Sequence, residues 1–136
     1  MKLLMFQAKR FWFHSYHRAL ETVAEVDVET EVNDAAVVFL HAEVEDEAHR
    51  GKVLTKALKN VKWLANKRGL KNVVFHSFNH LGGETASPEF AQAFIEAAAE
   101  RLRSTGYEVW LTPFGYVCEW DLSVYGESLA KVFKAI

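Results

Sequence analysis

The stretch His76-Ser77-Phe78-Asn79-His80-Leu81-Gly82-Gly83 gathers polar and ring side chains directly after a continuous apolar run, Val73 to Phe75. In open α/β sheets the carboxyl ends of buried strands are where ligand groups collect, so these residues are candidates for a pocket. His76 and His80 carry metal-binding rings, but a four-residue spacing in a loop with no third ligand identifiable does not make a metal site. A hydrogen-bonding pocket histidine fits the position better. Gly82-Gly83 permits a tight turn or close backbone approach without the phosphate-binding fingerprint of a nucleotide site. A second cluster, Pro113-Phe114-Gly115-Tyr116, is a turn at the start of a strand that carries Cys118. Cys118 with His80 would be a thiolate pair, yet no orienting third group is identifiable, and a lone buried cysteine is usually inert. The rings of Phe11, Trp12, Phe13, Trp63, Trp110 and Trp120 can stack on bases, and equally can fill a core or an interface.

The elements that must position these residues follow from hydrophobic period. Leu3 to Phe6 is a short apolar run suited to a first strand, and the aromatic stretch Phe11 to Tyr16 is too apolar for a free linker. Val23 to Val32 alternates, with Val26 and Val28 on one side and Glu25, Asp27, Glu29 and Glu31 on the other, the period of a half-buried strand. Asn33-Asp34 then favours a turn, and Ala35 to Glu43 reads as the next strand, paired antiparallel across it. From Glu45 to Arg68 the period becomes helical, with Leu54, Leu58, Val61 and Ala65 on one stripe and Gly69 as terminator. Helix followed by the buried strand Val73 to Phe75 predicts an α/β crossover. Ser87-Pro88-Glu89 starts a second helix with a cap, a proline and an acid, running to Gly106. Tyr107 to Leu111 and Gly115 to Leu122 read as strands, and Gly126 to Phe133 as a closing helix.

At 136 residues, half of them hydrophobic, the chain suits one globular domain. A single cysteine cannot close an intrachain disulfide, no run is long and apolar enough for a membrane span, and Lys9 and Arg10 stand where a signal peptide would be apolar. The expectation is a cytoplasmic protein with no membrane contact. The net charge of -2 is a cancellation of blocks. Residues 1–20 carry four basic and no acidic side chains, 21–49 ten acidic and no basic, and 50–71 eight basic and no acidic. Such blocks can build a positive face able to steer a polyanion; they also fit a solvated helix whose lysines balance neighbouring strands.

FHSFNHLGGETASP at 75–88, GYEVWLTPFGYVCEWDLSVYGESLAKVF at 106–133 and the opening KLLMFQ together resemble the archaeal editing domain of threonyl-tRNA synthetase. The resemblance spans most of the chain, and the FxHL and PFGY segments, separated by a helix and a strand, are more specific as a pair than alone. It implies an α/β fold like that of D-aminoacyl-tRNA deacylases, with mixed and antiparallel strands and packed helices, usually as a homodimer. It implies hydrolysis of seryl-tRNA(Thr) made in error, sparing threonyl-tRNA(Thr), with the terminal ribose hydroxyl of the tRNA assisting a water and no metal or organic cofactor. Residues 1–136 then form a single editing domain, expected to be excised from a longer synthetase and to act beside the remaining synthetase domains or a separate catalytic synthetase.

Carried over by position, the FxHL histidine is His80, and Ser77, Phe78 and Asn79 are its neighbouring pocket walls. Phe114, Gly115 and Tyr116 match the PFGY turn, with Val117 beside them in the substrate-binding set. Two positions depart from the family pattern. The lysine expected two residues after PFGY is Cys118, and the glutamate expected in the C-terminal helix is Lys131. If the strand and the closing helix pack together, Lys131 reaches the space left at 118 and supplies the ammonium from the other side, with Lys9 a second candidate. The expected catalytic set is therefore His80, Lys131 and Cys118. Competing readings are a D-aminoacyl-tRNA deacylase, an inactive tRNA-binding module that has lost its lysine, and a plain dimerisation domain.

Overall fold

The computed structural model describes residues 1–136. Its elements are β1 (Lys2–Arg18), β2 (Glu29–His41), a 3-10 turn (Val44–His49), α1 (Arg50–Asn66), β3 (Asn72–Ser77), α2 (Pro88–Arg103), β4 (Glu108–Leu111), β5 (Tyr116–Val124), a second 3-10 turn (Ser128–Ala130) and β6 (Lys131–Ala135). The sheet runs β4-β3-β2-β1-β5, and β6 pairs with the first residues of β1 on the same side as β5. β2, β3 and β4 are parallel, whereas β1 is antiparallel to β2, β5 and β6. This is the expected α/β class with mixed strands.

Helices α1 and α2 are the crossovers between the parallel strands, and both lie on one face of the sheet. Leu54, Leu58 and Val61 of α1 and Phe94 and Leu102 of α2 pack there on Leu3, Met5, Val38, Leu40, Val73 and Phe75. The other face gathers Phe11, Phe13, Val37, Phe39 and Val74 with the half-buried Phe78, Trp110 and Leu122, and takes no helix residue. Ser87 caps α2 as expected, its hydroxyl accepting from Phe90 N–H at 3.2 Å.

Three expectations are corrected. Residues 23–32 and 35–43 are not two strands joined by a turn: Asn33 and Asp34 lie inside β2, which pairs with β1 in one continuous register from Lys2↔His41 to His14↔Glu29. Asp34 has φ of 49°, a kink that a short polar side chain tolerates. At this point apolar residues change parity on both strands, from Leu4, Phe6 and Ala8 to Phe11 and Phe13, and from Val37 and Ala35 to Val32. The kink keeps one apolar face continuous along an unusually long pair, and β1 carries a bulge against β5 at the same place. The helix expected from Glu45 starts as a 3-10 turn and becomes α-helical only at Arg50. The closing helix does not form. After a 3-10 turn, Lys131 to Ala135 add a strand to the free edge of β1, with Val132 and Lys134 half-buried between exposed neighbours.

Candidate active site

The end of β3, the 78–87 connection, the β4–β5 turn and the start of α2 surround a cleft of about 650 Å³, a size that suits a small organic group. The topology places it: β2, β3 and β4 point the same way, so the carboxyl ends of β3 and β4 meet at one end of the sheet. Ser77, Phe78, Asn79, His80, Phe114, Gly115, Tyr116, Val117 and Cys118 all line it. Two motifs more than thirty positions apart thus form one wall. Trp120, singled out above for base stacking, lines the cleft too, whereas sequence reasoning missed Thr85 and Thr112, because isolated threonines carry no local signal.

The loop after β3 is tied down from below. His41 is buried; its Nδ1 accepts from Leu81 N–H at 3.2 Å and its Nε2 lies 3.0 Å from Thr85 Oγ1, which fixes a neutral tautomer with the proton on Nε2. Burial pulls the His41 pKa down, consistent with that neutral ring. Glu43, also buried, receives Gly83 N–H at 2.7 Å, Lys2 Nζ at 2.7 Å and the Met1 ammonium at 2.9 Å. Burial alone would raise the carboxyl, but these donors outweigh it and hold the pKa at about 2. A Cβ at Gly82 would lie 2.5 Å from Glu43 Oε2, so any other residue there would displace the carboxylate from this anchor.

The β4–β5 turn is held from the other side. Gly115 has φ of 80°, and its carbonyl accepts from Ala19 N–H at 2.7 Å and Leu20 N–H at 3.1 Å. Tyr116 Oη receives Val26 N–H at 2.8 Å and donates to Ala24 O at 3.1 Å, so its hydroxyl clamps the β1–β2 connection. The main-chain N–H groups of Asn79, His80, Phe114 and Gly115 have no acceptor within the protein. Cleft-lining donors of this kind are what a developing oxyanion requires.

His80 is exposed, its ring edge-on to Phe78 at 5.2 Å. His76 is buried on the cleft floor, its Nδ1 2.9 Å from Thr112 Oγ1, and burial lowers its pKa to about 4. Phe78 neighbours both rings, 6.1 Å from His76, so the two histidines do not pair. Cys118 is half-buried, and burial pushes its thiol pKa up. Lys131 is not brought to the cleft. It pairs with Phe6 at the start of β6 while Cys118 pairs near Ser15, nine positions along β1, which at about 3.3 Å per residue leaves roughly 25–30 Å between them. Its Nζ donates to Tyr125 O at 3.3 Å, and Lys9 sits 5.7 Å from the Tyr125 ring. The expectation for Lys131 depended on a closing helix that the chain does not form, and Lys9 does not line the cleft either.

Residues 1–136 match the family model of the archaea-specific editing domain of threonyl-tRNA synthetase. The chain is 29% identical over 139 residues to the threonine-tRNA ligase of Thermococcus onnurineus (strain NA1), and the match covers 100% of the chain. It is 30% identical over 140 residues to that of Hyperthermus butylicus, over 98% of the chain. In both cases it spans 22% of the relative's length. Among solved structures, the c-Myc DNA Unwinding Element Binding Protein superposes with a TM-score of 0.70 at 15% identity, over 100% of this chain and 99% of that one, a likeness of fold. No helix is long and apolar enough to cross a membrane.

Proposed function

Because the chain belongs to the archaea-specific editing domain family of threonyl-tRNA synthetase, we propose that its cleft hydrolyses the ester of seryl-tRNA(Thr) formed in error and spares threonyl-tRNA(Thr). The observation that carries this is the meeting of the FxHL and PFGY segments in one cleft, whose lining residues include four with unpartnered main-chain N–H groups. Serine and threonine differ by one methyl group, worth about 1–3 kcal/mol in a single binding site, so a second, hydrolytic site is the physical remedy.

The residues present favour an RNA-assisted mechanism. Cys118 stays a protonated thiol at neutral pH and His76 stays neutral, so neither is an activated nucleophile. The attacking water is positioned by the terminal ribose hydroxyl of the tRNA, the tetrahedral oxyanion is received by main-chain N–H groups, and His80 at the rim contacts the adenosine end. The amino acid sits against Ser77, Phe78 and Asn79 on one wall and Phe114, Gly115, Tyr116, Val117 and Cys118 on the other. The domain works in the cytoplasm as the editing portion of a longer synthetase, and pairs with a second copy. Phe133, 51% exposed beside Leu4 on the helix-free face, is apolar surface that such a copy would cover.

The exposed side of α1 fits the polyanionic partner. Lys52, Lys56 and Lys59 are exposed there, and no α1 lysine is in a salt bridge, whereas α2 exposes Glu89, Glu96 and Glu100. The acceptor stem therefore lies along α1. The experiment that separates this reading from its nearest rival compares amino-acid release from L-seryl-tRNA(Thr) and from a D-aminoacyl-tRNA. Release from the L-seryl ester alone supports editing, and release from the D-ester alone assigns the chain to D-aminoacyl-tRNA deacylation.

A further inference from the structure

His76 has no part in the mechanism above, yet it is the most deeply placed ionisable side chain of the cleft, 6% exposed at the carboxyl end of β3. Its ring is immobilised. Nδ1 is bonded to Thr112 Oγ1 at 2.9 Å, the Phe39 ring stands edge-on at 5.0 Å and Phe78 lies on the cleft side. Nε2 has no hydrogen-bond partner in the protein. No fully buried side-chain nitrogen or oxygen of this chain lacks a partner, so the free nitrogen opens on the cleft that His76 lines.

The hydrogen-bond network also accommodates a ring with a free acceptor nitrogen. Thr112 Oγ1 has a second neighbour, the Phe75 carbonyl at 3.5 Å, which can only accept. With the hydroxyl proton directed there, Thr112 accepts from the ring, the ring proton sits on Nδ1, and Nε2 presents a lone pair. Burial keeps this ring neutral at the pH of protein synthesis, so the lone pair is retained. A fixed acceptor at the floor of an ester-binding cleft calls for a donor on the ligand, and every aminoacyl ester brings one in its α-amino group, which has an N–H to give in either protonation state.

We propose that His76 is a substrate-binding residue whose Nε2 accepts a hydrogen bond from the α-amino group of the bound aminoacyl ester; this rests on the reading of the cleft as an ester-hydrolysing site. The contact is common to seryl and threonyl esters, so it anchors the substrate and leaves the choice between them to other walls. Thr112 is the positioning residue that holds the tautomer.

The test is single-turnover release with wild type and His76→Phe, which keeps a ring on Phe39, using seryl-tRNA(Thr) and its desamino analogue 3-hydroxypropionyl-tRNA(Thr), which has no nitrogen to donate. The expected result is a loss of about tenfold or more for the variant on seryl-tRNA(Thr), seen in the half-saturating enzyme concentration, with no loss on the desamino substrate. Equal losses on both substrates, or no loss on either, overturn the proposal. A wild-type chain that releases no serine overturns the editing reading instead. His76 is then decided on wild type by ¹⁵N-histidine NMR with an amide-linked, non-hydrolysable 3′-seryl-aminoadenosine. An upfield shift of Nε2 on addition supports the contact, and an unmoved Nε2 overturns it.

Discussion

At Cys118 the cleft holds a thiol where the resemblance leads us to expect an ammonium, and burial keeps that thiol protonated. Cys118→Ser should therefore retain serine release within about threefold, since a wall residue of the same size is exchanged for one; a covalent cysteine enzyme would lose several orders of magnitude. Glu43 is the residue on which the 79–85 loop depends, and its pKa of about 2 lies below the ordinary 4.5. The sign follows from linkage: a carboxyl depressed in the folded state contributes stability that is complete above pH 4.5 and is lost as pH falls toward 2. Glu43→Gln should cost about 2 kcal/mol in urea melts at pH 7, and its stability should fall less than that of wild type between pH 4.5 and 2. Parallel acid dependence in both proteins would contradict the assignment. Ser77 to His80 were legible in the sequence because loop chemistry follows an apolar strand there, whereas Phe114 to Val117 were reached through the family resemblance. His41 and Thr112 were not, since what gives each its role is a partner about forty positions away, Thr85 for one and His76 for the other.

Among the elements, α1, β3 and α2 follow from local signals, namely a helical stripe, a β-branched run and a Ser-Pro-Glu start. Ser87→Ala should cost roughly 1 kcal/mol of stability by the lost cap, with the melt as the measure and an unchanged midpoint as the contrary result. The strand expected from Val23 to Val32, which begins only at Glu29, and the C-terminal end misled for the same reason: both are settled by pairing with β1, a strand far longer than its apolar start suggests. Asn33-Asp34 has turn chemistry but serves as a kink, and Lys131 to Ala135 is amphipathic enough for either period until the free edge of β1 selects the strand. Because β6 keeps Lys131 away from the cleft, Lys131→Ala should release serine at the wild-type rate. Gly115→Ala, in contrast, puts a Cβ 2.8 Å from Val23 at a positive φ, and should both destabilise the chain and slow release by displacing the β4–β5 turn.

Over the whole molecule the near-zero net charge hides two differently charged helices, α1 with exposed lysines and no acid, and α2 with Glu89, Glu96 and Glu100 beside Arg101 and Arg103. Lys52, Lys56 and Lys59 recur at intervals that place like charges side by side on α1, an arrangement unfavourable to the isolated helix and favourable to a phosphate backbone. Exchanging all three for glutamine should flatten the dependence of log affinity on log salt by about two to three for tRNA(Thr), while leaving a seryl-adenosine substrate unaffected. An unchanged salt slope would move the RNA to another face. The claim beneath all of these is that this domain by itself corrects the choice of amino acid. Its most direct measurement is the single-turnover release of serine from seryl-tRNA(Thr) against that of threonine from threonyl-tRNA(Thr), at equal concentrations of the 136-residue chain. Serine release far above the spontaneous rate with threonine at background is the predicted result; equal release from both, or background rates from both, would contradict it.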